Sequence, residues 1–156
     1  MGTVSAAPEL AKGPQPLELS PATAVWHAFL LRKAAQRVTG MVEEVLHPYG
    51  LTIRHFNLLN VIQAEPGQNQ RGVGERLRID RTTVVALADD LERAGLLERR
   101  RGNDRRMFAL HLTPTGQDRL TELAELTTTV HEKFLANLSP DERELLRELL
   151  LKVLIY

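Results

Sequence analysis

Cysteine is absent from the sequence. That removes disulfides, thiolate metal sites and any redox sensing through a cysteine. An excess of charge is missing too: 20 Lys and Arg stand against 20 Asp and Glu, for a formal net charge of +0. Neutrality of this kind argues against a nucleic-acid partner unless the charges are unevenly placed. No apolar run is long enough for a membrane span, and the first residues lack a charged stretch followed by an apolar core. No membrane association is therefore expected, and a cytoplasmic location is. His27, His47, His55, His111 and His131 show no close ligand spacing such as His-x-x-x-His, so no metal is expected. A phosphate-cradling glycine loop, a cysteine nucleophile and a Ser/His/Asp grouping in a strand–turn–helix context are all missing. The expectation is a protein that is not an enzyme and carries no cofactor.

What is present is enough chain for a domain with a proper core, organised around the stretch from Asn69 to Thr113. It opens with a short helical pattern and a tight turn. Asp80 then caps a second helix, with Val84, Leu87, Ala88 and Leu91 at helical spacing. Gly95 falls where a helix needs a left-handed terminating residue. Leu96–Arg101 and Met107–Thr113 read as strands, with Phe108, Leu110 and Leu112 alternating against Ala109, His111 and Thr113. Gly102-Asn103 supplies turn chemistry between them. The neutral total hides a basic tip. From Glu98 to Arg106 there are five arginines (Arg99, Arg100, Arg101, Arg105 and Arg106) against two acids, Glu98 and Asp104.

The flanks read as follows. Residues 1–19 are rich in Ala, Pro and Gly and are expected to be a flexible tail. Ser20-Pro21 predicts the start of one long helix reaching about Leu46, with Thr52 capping the next and Phe56, Leu58, Leu59 and Ile62 facing inward. Thr113-Pro114 starts another helix toward Leu135. Ser139-Pro140-Asp141-Glu142 carries the signature of a capping box. The helix it opens bears a broad apolar stripe of Leu145, Leu146, Leu149, Leu150, Val153 and Leu154, which must be covered either by its own domain or by another chain.

The order helix–turn–helix–hairpin is that of a winged helix-turn-helix. Asp-Arg-Thr-Thr-Val-Val (80–85), Leu-Glu-Arg-Ala-Gly-Leu-Leu-Glu-Arg-Arg (91–100), Asp-Arg-Arg (104–106) and Leu-Thr-Pro-Thr-Gly (112–116) occur in sequence. From about Pro21 to the end, the chain resembles the MarR family of bacterial transcriptional regulators. The fold class implied is mainly α with a small β-hairpin wing, a winged helix-turn-helix with N- and C-terminal dimerisation helices. Its parts would be a tail (1–19), an N-terminal dimerisation helix (20–50), a DNA-binding lobe (51–113) and C-terminal dimerisation helices (114–156).

In that architecture the second helix of the motif enters the major groove and the first lies near the backbone. The DNA-binding residues expected are Asn69, Gln70 and Arg71 at the start of the first helix, and Arg81, Thr82, Thr83, Val85 and Ala86 on the second. Arg101, Asn103, Arg105 and Arg106 join them from the wing. Arg81 suits either guanine or a phosphate, with a salt bridge to Asp80 or Glu75 as the plainer alternative. Wing arginines suit a narrow minor groove, and the resemblance implies that Asp104 orients one of them. Ala86 and Asp90 stand where many relatives carry a basic or polar residue, so more of the specificity is left to DNA shape and the wing. Gly72 and Gly74 weaken the first helix by up to about 1 kcal/mol each. Gly74 alternatively admits a close helix–helix approach. Arg78 occupies the turn where relatives often have glycine.

The resemblance also implies a homodimer on a pseudo-palindromic operator. About eight phosphate contacts would then give a log–log salt slope of about −7. It implies as well a small aromatic or phenolic effector, for which Trp26, His27, Arg32, His55 and Phe56 are the candidate contacts. Repression is the default reading. A winged-helix protein–protein adaptor is the alternative, and it has no use for arginines at a hairpin tip.

Overall fold

The computed structural model describes residues 19–101 and 108–155, and the chain divides into two compact units at Ala34–Ala35. In the first unit, α1 (Pro21–Ala24) is a single turn. The long helix expected from Ser20 is broken: α2 (His27–Leu46) begins only after Val25 and Trp26. Ser20 makes no side-chain cap. The Trp26 amide instead bonds the Thr23 carbonyl three residues back, a tightened turn that ends α1, and the Trp26 carbonyl receives the Leu30 amide to begin α2. Val25 and Trp26 are 70% and 67% exposed, and Arg32 and Lys33 lie over the Phe29 ring.

The second unit holds the core. After Val42 and Leu46 the chain turns through a 3-10 segment, His47–Tyr49, and Gly50 takes the left-handed conformation. Thr52 then caps α3 (Ile53–Ala64), whose Leu58, Leu59 and Ile62 are fully buried. Helix α4 (Gln70–Leu77) is capped by Asn69, whose side chain accepts the Gly72 amide. Arg78 ends it at φ 52°, ψ 43°, so a non-glycine residue occupies the left-handed turn. Gly74 earns its place by proximity. A Cβ there would lie 3.1 Å from the Ile79 carbonyl oxygen and 3.3 Å from Val84, so its absence lets the next helix close in.

That next helix, α5 (Arg81–Arg93), buries Val84, Leu87, Ala88 and Leu91, the stripe expected from the sequence. It ends in a Schellman closure: the Gly95 amide bonds Glu92 and the Leu96 amide bonds Leu91, with Gly95 at positive φ. Strands β1 (Leu97–Arg101) and β2 (Phe108–Leu112) pair antiparallel, Leu97 opposite Leu112 and Arg101 opposite Phe108. β1 starts one residue later than expected, since Leu96 belongs to the helix closure. Leu110 and Leu112 are buried while Phe108, on the same face, is half exposed beyond the edge of the core. The predicted Gly102-Asn103 turn lies outside the described residues.

Thr113 caps α6 (Pro114–Phe134) by accepting the Gly116 amide, and its own hydroxyl donates to the Gly95 carbonyl. Gly116 lies directly under the Leu96 carbonyl, where a Cβ has no room. Helix α7 (Pro140–Leu154) opens with the expected capping box: Glu142 accepts the Ser139 amide at 2.8 Å, and the Ser139 hydroxyl accepts the Glu142 amide at 3.3 Å. None of its residues is buried.

Candidate nucleic-acid interface

Helices α4 and α5, the turn between them and the base of the hairpin bound an open cleft of about 720 Å3. Arg71, Arg78 and Arg81 line it together with Glu75, and the exposed Phe108 ring faces it from β2. Three guanidinium groups against one carboxylate make this concave strip positive on a chain that is neutral overall. Glu75 is partly neutralised already, since Arg71 Nε donates to it at 2.9 Å on the exposed surface of α4.

Arg81 opens α5. The two acids that offered it a plain salt bridge are occupied elsewhere: Glu75 holds Arg71, and Asp80 holds Thr83. Asp80 accepts the Thr83 amide at 2.9 Å and the Thr83 hydroxyl at 2.6 Å. Those bonds, the hydroxyl first, hold the Asp80 carboxyl below its ordinary range. Thr83, expected among the DNA-binding residues, thus gives its one hydroxyl proton to the Asp80 cap. Thr82, Val85 and Ala86 share the outer side of α5, with Thr82 and Ala86 exposed and Val85 half-buried.

Two of the five arginines counted at the wing serve the protein instead. The Arg99 guanidinium, on β1, bonds both Asp89 and Glu92 of α5 and is only 18% exposed. With its amide oxygen turned toward Arg99, Gln70 accepts from the same group at 3.0 and 3.1 Å. Gln70 therefore faces the hairpin, and Arg99 joins β1 to α5 and α4. Arg100 is held by Glu98 on its own strand, with Nε donating at 2.8 Å. Arg101 is exposed at the end of β1. Asn103, Asp104, Arg105 and Arg106 lie outside the described residues.

The expected effector contacts are divided between the two units. Trp26, His27 and Arg32 are exposed in the first. In the second, His55 is buried rather than open to a ligand. Its Nδ1 accepts the Thr52 amide at 3.1 Å, completing the cap of α3, and its buried Nε2 lies 3.5 Å from Asp90 Oδ2 without a hydrogen bond among the described residues. Asp90 is also bonded by Arg93 at 2.9 Å. Arg93 first, and His55 after it, hold the Asp90 carboxyl below its ordinary range. Sequence reading missed this use of His55, although a residue three places after a Thr cap is where a box partner belongs. Phe56 packs against the core.

The expected dimer residues stand apart from all of this. Leu145, Leu149, Val153 and Leu154 of α7 are 49–69% exposed, and Leu146 and Leu150 are half-buried. Among the described residues no group of three or more potential ligands is arranged to hold a metal, and no helix is long and apolar enough to cross a membrane.

Comparison with known proteins gives the same picture. The sequence model of the MarR family matches residues 49–107. A protein of Thauera aromatica described as a transcriptional regulatory protein for the hcr operon is 33% identical over 95 residues, 60% of this chain and 57% of that protein. The chain thus spans a little over half of that relative. The transcriptional repressor CouR bound to a 23-mer DNA duplex is 32% identical, with a TM-score of 0.80 over 88% of this chain and 99% of that one. CouR from Rhodococcus jostii RHA1 bound to p-coumaroyl-CoA is 26% identical, with a TM-score of 0.76 over 87% and 96% of the two chains.

Proposed function

Because the chain belongs to the MarR family, we propose that this transcriptional regulator is a ligand-responsive repressor binding a pseudo-palindromic operator as a homodimer. The observation that carries the DNA reading is Arg81. It stands exposed at the start of α5, on the positive cleft, with both nearby acids engaged by other residues. A guanidinium with no acidic partner among the described residues is available to a phosphate or to a guanine edge. Asn69 keeps its amide N–H groups for phosphate, since its oxygen caps α4. Thr82 keeps its hydroxyl. Arg101, Asn103, Arg105 and Arg106 are assigned to the wing contacts, with Asp104 orienting one of the arginines.

The homodimer is supported by α7. An apolar stripe exposed along a terminal helix is a face awaiting cover, and a second copy of the chain supplies it. An effector of phenolic character is supported by the likeness to CouR. The candidate contacts for it are Trp26, His27 and Arg32, each exposed. Of the other two candidates, His55 completes the cap of α3 and Phe56 packs against the core.

The test is selection of a random duplex library with the full chain, followed by a salt titration on the enriched sequence. A two-fold sequence with half-sites about one helical turn apart, and a log–log salt slope near −7, supports the reading. An adaptor would enrich nothing and show no salt-dependent binding.

A further inference from the structure

Apart from Arg81 and Thr82, every hydroxyl or charged side chain on α5 is bonded to another described residue. Thr83 is held by Asp80, Asp89 and Glu92 by Arg99, and Asp90 and Arg93 by each other. Past Arg81 and the Thr82 hydroxyl, what remains on the outer side of the helix is methyl groups: the γ-methyl of Thr82, the two of Val85 and the one of Ala86. Positions 82, 85 and 86 are related by three and four residues, so these methyls form one contiguous stripe. Asp89 would continue the stripe with a negative charge, but Arg99 cancels that charge and pulls the carboxylate toward β1.

In the major groove, one base presents an apolar group, the 5-methyl of thymine. We propose that the Thr82–Val85–Ala86 stripe is a thymine-methyl reader, and that direct base recognition by α5 beyond Arg81 is apolar. This rests on the DNA-binding reading above. It departs from readout by shape alone, because it ties discrimination to a single carbon atom on the base rather than to groove width or flexibility. Val85→Ala and Thr82→Ser each trim the stripe while leaving the helix caps and the buried face untouched.

The experiment uses the full chain and the duplex enriched by selection. Each thymine is replaced in turn by deoxyuridine, which keeps the pairing and loses only the methyl. Uracil at one or two positions per half-site should weaken binding about threefold to fivefold each, as expected for a lost methyl contact. Uracil elsewhere should have no effect. In the Val85→Ala or Thr82→Ser protein, the uracil penalty at the matching position should shrink toward onefold. Specific, salt-dependent binding with no uracil penalty at any position would overturn the methyl reader and leave the regulator reading standing. Failure to enrich or bind any duplex would overturn both.

Discussion

The guanidinium of Arg99 reaches back ten residues to Asp89, tying the first strand of the hairpin to the outer side of α5. The bond removes an unpaired carboxylate from the helix proposed to approach phosphates. It also makes the hairpin and the helix move together. Replacing Arg99 with Ala leaves Asp89 and Glu92 facing one another. With both acids near half exposure, solvent absorbs part of the loss, and thermal unfolding should register about 1–2 kcal/mol of destabilisation. Affinity for a selected duplex should fall further than stability does, because the angle between hairpin and helix is no longer held. Unchanged affinity in a folded Arg99→Ala protein would show that the hairpin is positioned by other means.

Arg78 stands in the left-handed region at the end of α4. For a residue with a Cβ that conformation costs about 1–2 kcal/mol, part of which glycine gives back through greater freedom in the unfolded chain. Arg78→Gly should therefore raise stability by about 0.5–1 kcal/mol, read from the denaturant midpoint. If Arg78 also grips a phosphate, the same variant binds DNA more weakly while melting later, and a variant that melts earlier would rule out the strain.

Gly116 predicts the opposite sign. Its α-carbon packs under the backbone carbonyl of Leu96, and neither the helix start nor the Schellman closure can yield easily. Gly116→Ala should cost about 3 kcal/mol by overpacking. Equilibrium unfolding of the variant measures this, and a midpoint matching the parent would mean that the two segments slide apart freely.

Asp80 gives a pH dependence. Its carboxyl is held below the ordinary range by the Thr83 hydroxyl and amide. A depressed native value means stabilisation that is complete above the unfolded-state value, and that is lost as pH falls through the native one. Asp80→Ala should thus destabilise the protein at neutral pH and make little difference in strong acid, where the parent has lost the same contribution. Melting curves of both proteins across the acid range decide it; a constant gap between them would assign the effect to something other than ionisation.

The apolar side of α7 predicts the oligomeric state. Leu149 is 49% exposed in the single chain, so Leu149→Glu should fold normally, by circular dichroism, yet sediment as a monomer at concentrations where the parent is a dimer. A parent that sediments as a monomer would remove the basis for a two-fold operator.

Much of this was legible in the sequence because it is local. The caps at Thr52, Asp80, Thr113 and Ser139 depend on residues within three positions of each other, and so does the left-handed Gly95. The inward stripe of α5 follows from its period alone. What escaped was tertiary. The carboxylate partners of Arg99 lie seven to ten residues away and become neighbours only once the hairpin folds against α5, so five arginines in a row of nine looked like one basic tip. His55 looked like an open ligand contact because its burial depends on α5 packing over α3. The break at Val25–Trp26 has no proline or glycine to announce it.

The middle of β2 is bonded on both sides. On one it pairs with β1, and on the other the Leu110 amide bonds the Gln68 carbonyl, the Gly67 amide bonds the Leu110 carbonyl, and Ala109 bridges to Asn69. The sheet edge that remains belongs to β1, which ends in three consecutive arginines. A chain with formal net charge +0 and an isoelectric point near 7.0 has no long-range repulsion to keep copies apart at neutral pH. Its colloidal stability has to come from short-range features, and a two-stranded sheet closed on one side and guarded by arginine on the other is such a feature. Trimming Arg101 to study a DNA contact would also thin that guard, so a loss of solubility in a variant whose circular dichroism is unchanged reports on strand exposure.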